Sequence, residues 1–172
     1  LQLRNSYNSI ICQFFIFVYY MTAKKIWGPI IWTYFHTIAE KIKPEYESEI
    51  PLLYNTIKNI CSYLPCPDCS RHATMFLSKV KKDRIRTKDD LIRLLWTFHN
   101  NVNQRLKKPE ITLDECLNKY KKAITIQVIK KFLLLFSISS RNNKMMMDDF
   151  HRKKLFNEIN NYFKNNIHKF NP

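Results

Sequence analysis

The chain is almost without glycine. Among its 172 residues only Gly28 is one, so a fold that cradles phosphates in a glycine-rich loop, such as a Rossmann site or a Walker loop, lacks the residues to build it. A large flat cofactor would have to lie between helices, held by aromatic faces, histidines and amides. Acidic residues are also scarce, 14 against 29 Lys and Arg, for a net charge of +15 at pH 7. That excess invites a nucleic-acid reading. The lysines are scattered among Asn and Ile, however, as in Lys164, Asn165, Asn166 and Ile167. They read as a solvated basic surface, and no specific nucleic-acid partner is expected. No apolar run is long enough for a membrane span: Ile10–Tyr20 is short, and Ile124–Ile138 is short and carries Lys130 and Lys131.

What is present fits one compact core with extra chain at the ends, given 45% hydrophobic content. Residues 1–21 form an N-terminal extension expected to be unstructured. Arg4 precedes its apolar run as in a signal peptide, but a small-residue cleavage site is missing, and Met21 suits a natural start. The main domain is expected at 22–125 and a helical, basic C-terminal extension at 126–172.

Helical spacing dominates the domain. Ile26, Ile30, Ile31, Tyr34, Phe35, Ile38 and Ile42 predict a helix over Lys25–Lys43, closed by Pro44. Pro51 opens a second helix, which Leu64 and Pro65 stop. A third starts at Cys66 and Cys69. Thr87 with Asp90 is a near capping box for a fourth, whose stripe runs from Leu91 to Leu106; Thr112 with Glu115 opens a fifth through Leu117, Tyr120 and Ile124. The run to Ile138 reads as a buried helical continuation, and Leu155, Ile159, Phe163 and Ile167 as a last amphipathic helix. No strand pairs are expected.

Five cysteines occur, at 12, 61, 66, 69 and 116, an odd number that argues against a scaffold of paired disulfides. Only Cys66 and Cys69 are close, bracketing Pro67 and Asp68 at a helix start. There the exposed backbone amides stabilise a thiolate, and the spacing lets the pair cycle between dithiol and disulfide. The same pair with His72, and with His99 or Cys61, is also half of a zinc site. A thioredoxin-like reading fails because the preceding segment is helical. Cys61 reads as a buried thiol and Cys116 as structural or idle.

Two further patterns stand out. Trp27, Gly28 and Pro29 lead to Trp32 and His36, one turn apart on one helix face; His99, Asn100 and Asn103 lie beside the apolar stripe of the fourth helix. Buried polar groups need partners, and a flavin or adenine edge would supply several. Taken alone, the first pattern also fits core packing and the second an exposed polar face.

In joint order and spacing, Trp27-Gly28, Trp32 and His36, then Leu64-Pro65-Cys66-Pro67-Asp68-Cys69, then His99 to Asn103, then Leu106-Lys107-Lys108-Pro109 resemble the Erv/ALR family of FAD-linked sulfhydryl oxidases, close to its compact viral members. The resemblance runs from Trp27 to Tyr120. It implies an all-α fold, a four-helix bundle with a short fifth helix, and a thiol oxidase that forms disulfides in protein dithiol substrates. Electrons would pass through the catalytic Cys66 and Cys69 and FAD to molecular oxygen, with Cys66 taking the mixed disulfide and hydrogen peroxide released. By carry-over Trp27, Gly28, Trp32, His36, Cys69, His99, Asn100, Asn103, Lys108 and Tyr120 would line the FAD site, and no metal is expected. A homodimer through the first helices and a viral location, in the infected cell's cytoplasm or the virion, are further implications. Many members carry an extra disulfide between the helix after the Cys pair and the His-Asn helix; Ser78 and Trp96 stand there, so that staple is absent. A second Cys pair in a tail is also missing. Rival readings are a zinc-binding, basic nucleic-acid module using Cys66, Cys69 and His72, and a noncatalytic interaction protein using the tail helix.

Overall fold

The structure is a computed structural model that describes residues 24–137 and 146–172. The described residues form α1 (Lys24–Lys41), α2 (Ile50–Ser62), α3 (Pro67–Ser78), α4 (Lys88–Arg105), α5 (Leu113–Lys121), α6 (Thr125–Ser137) and α7 (Met146–Asn166). The only β-type pairing among them is an isolated bridge between Ile42 and Phe170, so the fold is all-α. The apolar run Ile10–Tyr20 and Cys12 lie outside the described residues.

Helix α1 is the centre. Every residue from Tyr34 to Ala39 is buried, and a helix covered all round must be surrounded by others. It is packed by α4, α5 and α6. Pro29 sits inside it, where a preceding side chain would crowd the proline ring; the one glycine occupies that preceding position.

Caps set the helix starts. Thr87 Oγ1 accepts from the Asp90 N–H at 3.1 Å while Asp90 accepts from the Thr87 N–H at 2.9 Å, so α4 opens on a complete reciprocal box. Thr112 and Glu115 do the same for α5, at 3.2 and 2.8 Å. At α3 the cap is sulfur: Cys66 Sγ accepts from the Cys69 N–H at 3.3 Å. Ser70 Oγ lies 2.8 and 2.7 Å from the carbonyls of Cys61 and Ser62, locking α3 onto the end of α2.

Beyond Lys121 the chain turns and starts again at Thr125, so α6 is a separate helix rather than a continuation of the fifth. The break lets α6 lie along α1, with Phe132 stacked on Tyr34 at 3.9 Å. Helix α7 buries Leu155, Ile159 and Phe163 as their spacing predicts, and packs on α6 and α2. Its end is tied to the start of the domain. Lys169 Nζ meets Glu49 at 2.6 Å, Tyr162 Oη donates to the same carboxylate at 2.9 Å, and the Asn171 N–H donates to the Lys41 carbonyl at 2.7 Å. Those bonds hold the Glu49 carboxyl below its ordinary range, the Lys169 hydrogen bond foremost.

Phe132 is fully buried, so Phe132→Ala is expected to destabilise the protein by about 3–5 kcal/mol in urea unfolding. A negligible loss would mean that α6 is not part of the core.

Candidate active site

Four helices bring the predicted residues together. On α1, Gly28, Trp32 and His36 follow one another at intervals of four, along one side. The indole of Trp32 stacks on the His99 ring of α4, centroids 4.0 Å apart and planes within 6°. His36 Nε2 lies 3.0 Å from His99 Nδ1. The opposite ring nitrogen, His36 Nδ1, lies 3.4 Å from Cys116 Sγ on α5, and the His36 ring stacks on Tyr120 at 4.6 Å. Cys116 and Tyr120 are a turn apart, so one face of α5 closes the cluster.

The two imidazoles are neutral at physiological pH. Burial first, then the His99 ring and the Lys119 cation, push His36 down to about 3. Burial, Lys119 and Lys108 push His99 down to about 4. Neutral rings can both donate and accept, which suits a polar heterocycle rather than a bare anion. Burial raises the Cys116 thiol to about 11 and, with Cys116 itself, the Tyr120 phenol to about 12, so both keep their protons.

Not every predicted residue faces this cluster. Trp27, five positions before Trp32, points to another side of α1 into the core. The Asn100 amide is engaged with backbone: its Nδ2 donates to the Ile111 carbonyl at 2.8 Å and its Oδ1 accepts from the Ile111 N–H at 3.0 Å. Trp96 Nε1 donates to the same carbonyl at 2.7 Å. Trp96 therefore faces the loop before α5, and these bonds clasp that loop to α4. Asn103 is buried, 3.5 Å from Asn100; its carbonyl accepts from the Lys108 N–H at 2.9 Å. The Lys108 side chain is exposed beside the cluster, after Lys107 in a left-handed turn. Sequence reasoning missed Cys116 and Lys119; the spacing of Cys116 and Tyr120, a helical turn, was the available signal for the first.

Cys66 and Cys69 are joined in a disulfide at the start of α3, both half-buried against the core. Cys69 and Phe76, seven residues apart, share the face of α3 turned to α4, where Phe76 stacks on Phe98 at 4.7 Å and Phe98 meets Trp32 at 5.1 Å. A cleft of about 520 Å³ is lined by Tyr63, Arg71, Met75 and the two prolines that flank Cys66 in sequence, Pro65 and Pro67. His72 instead turns to Asn101 and Arg105 on α4. Among the described residues no group of three His, Cys, Asp or Glu could hold a metal ion, and the disulfide removes both thiolates from such a role. The zinc reading has no geometric support.

The family model of the Erv1 / Alr family matches residues 29–123. The chain belongs to that family. Among its relatives, the FAD-linked sulfhydryl oxidase of African swine fever virus (isolate Pig/Kenya/KEN-50/1950) is 33% identical over 104 residues, 57% of this chain and 82% of the relative. A protein of invertebrate iridescent virus 3 that carries the name of an FAD-linked sulfhydryl oxidase is 29% identical over 100 residues, 56% of this chain and 67% of the relative. A frog virus 3 protein of the same name is 32% identical over 94 residues, 52% of this chain and 63% of the relative. The chain thus spans about two thirds of the length of these last two. No solved structure gives a significant match. The Erv1 / Alr segment contains Trp32, His36, both cysteines of the pair, His99 and Tyr120; α6 and α7 lie beyond it.

Unfolded histidine takes its proton near the ordinary value of 6.5, whereas folded His36 and His99 hold out to about 3 and 4. Between those values the unfolded chain binds more protons, so stability falls as pH drops below about 6.5. The fall in melting temperature from pH 7 to pH 4.5 should be shallower for His36→Gln than for the wild type, and equal slopes would mean that these rings are not buried neutral.

Proposed function

We propose that this Erv1 / Alr chain is an FAD-dependent thiol oxidase that makes disulfide bonds in protein substrates. The observation that carries the reading is the Cys66–Cys69 disulfide at the start of α3, the helix whose Phe76 stacks on Phe98, which in turn meets Trp32 of the ring cluster.

The residues fit a flavin nucleotide. A Cβ on Gly28 would meet nothing within 4 Å, so the backbone there, one turn before Trp32, is open to a ligand. The partly exposed rings of Trp32 and His99 suit a planar heterocycle, while Lys108 and Lys119 set positive charge beside them for a diphosphate. A flavin held there by these residues would supply the two-electron redox chemistry that links the reduced cysteine pair to molecular oxygen, with hydrogen peroxide as the product.

The chain's own chemistry is thiol exchange. A substrate thiolate entering by the cleft attacks Cys66 Sγ, forming a mixed disulfide and releasing the Cys69 thiolate on the α4 side. The substrate's second thiolate then attacks its own sulfur in the mixed disulfide and displaces Cys66. The substrate leaves as a disulfide, having given two electrons to the Cys66–Cys69 pair, which is left as two thiolates, the protons of the substrate thiols having passed to solvent. Displacement of Cys66 is assisted at the start of α3, where the Cys69 N–H already points at its sulfur.

The viral relatives support a viral origin, and we extend the proposal to action in the infected cell's cytoplasm or in the virion; no helix among the described residues is long and apolar enough to cross a membrane. A homodimer stays within the proposal. Its partner would seat away from the α1 turns between Tyr34 and Ala39, which α6 helps to cover within the chain, and sedimentation gives the mass.

With dithiothreitol in air, the protein is expected to consume oxygen and release an equal amount of peroxide. Cys66→Ser or Cys69→Ser should lower turnover by roughly two orders of magnitude with the fold intact. Undiminished turnover in either variant would sink the proposal.

A further inference from the structure

A thiol that the exchange reaction does not use stands at the head of a hydrogen-bonded line. Cys116 Sγ on α5 is 3.4 Å from His36 Nδ1 on α1, and His36 Nε2 is 3.0 Å from His99 Nδ1 on α4. A neutral imidazole carries one N–H, so each ring donates through a single nitrogen and accepts through the other. The line therefore runs in one of two directions. If the Cys116 S–H donates to His36 Nδ1, His36 holds its proton on Nε2 and donates to His99 Nδ1, and His99 in turn holds its proton on Nε2. In reverse, His99 presents a bare lone pair at Nε2, and the last donor in the line is aimed at sulfur.

The thiol hydrogen separates the two. Sulfur is weak both as a donor and as an acceptor, but a thiol that keeps its hydrogen beside an imidazole nitrogen can give it there, and an unprotonated imidazole nitrogen is a good acceptor. The forward direction places a nitrogen acceptor in both bonds; the reverse uses an imidazole N–H on sulfur. Burial keeps Cys116 protonated at neutral pH, so its hydrogen is available to give.

We infer that Cys116 is a positioning residue of the nucleotide site: its thiol fixes the tautomers of His36 and His99, so that His99 offers an Nε2–H donor to the bound cofactor. This rests on the flavin reading above. The ligand atom that meets His99 is then a hydrogen-bond acceptor, an oxygen or an unprotonated ring nitrogen of the nucleotide. Trp32, stacked on the His99 ring, holds that donor's direction.

Nitrogen-15 NMR of histidine-labelled wild-type protein reads each tautomer. Protonated Nε2 with unprotonated Nδ1 is expected in both His36 and His99, and an Nδ1–H on His99 would overturn the inference. FAD titrated into the stripped protein gives a second reading. Cys116→Ala should bind it roughly five-fold more weakly, the loss of one hydrogen bond, and Cys116→Ser, which keeps a donor, should recover most of the affinity. Equal affinities across the wild type and both folded variants would also overturn it. If Cys116→Ala does not fold, the wild-type spectrum still decides. A wild-type protein that never takes up FAD would defeat the oxidase proposal, while the tautomers, readable without ligand, would still show which way the line runs.

Discussion

A buried histidine needs partners for both of its nitrogens, and at His36 that requirement organises the molecule. The ring sits on the central helix, is almost wholly removed from water, and stays neutral because ionising it there is too costly. Leaving either nitrogen unpaired would cost roughly 1–3 kcal/mol. His99 from α4 and Cys116 from α5 supply the partners, so one imidazole sets the mutual placement of α1, α4 and α5. The bonds made by Asn100 and Trp96 to Ile111 then fix the loop between α4 and α5, holding Cys116 and Tyr120 at the right height. On the opposite side α6 seals α1 with Phe132.

This arrangement explains how a chain with one glycine can present a nucleotide site at all. Glycine-rich loops offer backbone N–H groups to phosphates; in the proposed site side chains on rigid helices would take over, with rings for stacking, neutral imidazoles for directed hydrogen bonds and lysines for charge. Helices hold such groups more rigidly than loops do. The proposed redox pair follows the same economy of design: the start of α3 both caps the helix through Cys66 and turns Cys69 toward the phenylalanines that lead to Trp32.

Much of this was legible in the sequence. The periodic stripes, the two capping boxes and the proline stops place α1 to α5 within a few residues, because those signals are local. The turn over Lys122–Ile124 was not, since no proline or glycine marks it; the tertiary gain of laying Phe132 on Tyr34 decides it. Cys116 read as idle for a similar reason. Its neighbour on the chain, the capping Glu115, gives no hint that a residue 80 positions away will place a ring nitrogen beside its sulfur. Asn100 carried the opposite lesson: a polar side chain on an apolar face needs a partner, but the partner was the backbone of Ile111.

The central claim is that the ring cluster and the cysteine pair together form a flavin site. The visible absorption spectrum of the purified protein tests it most directly. The account predicts a yellow protein with about one flavin per chain, bleached by a dithiol in the absence of oxygen and restored by air. A folded protein that is colourless and takes up no added FAD would contradict it.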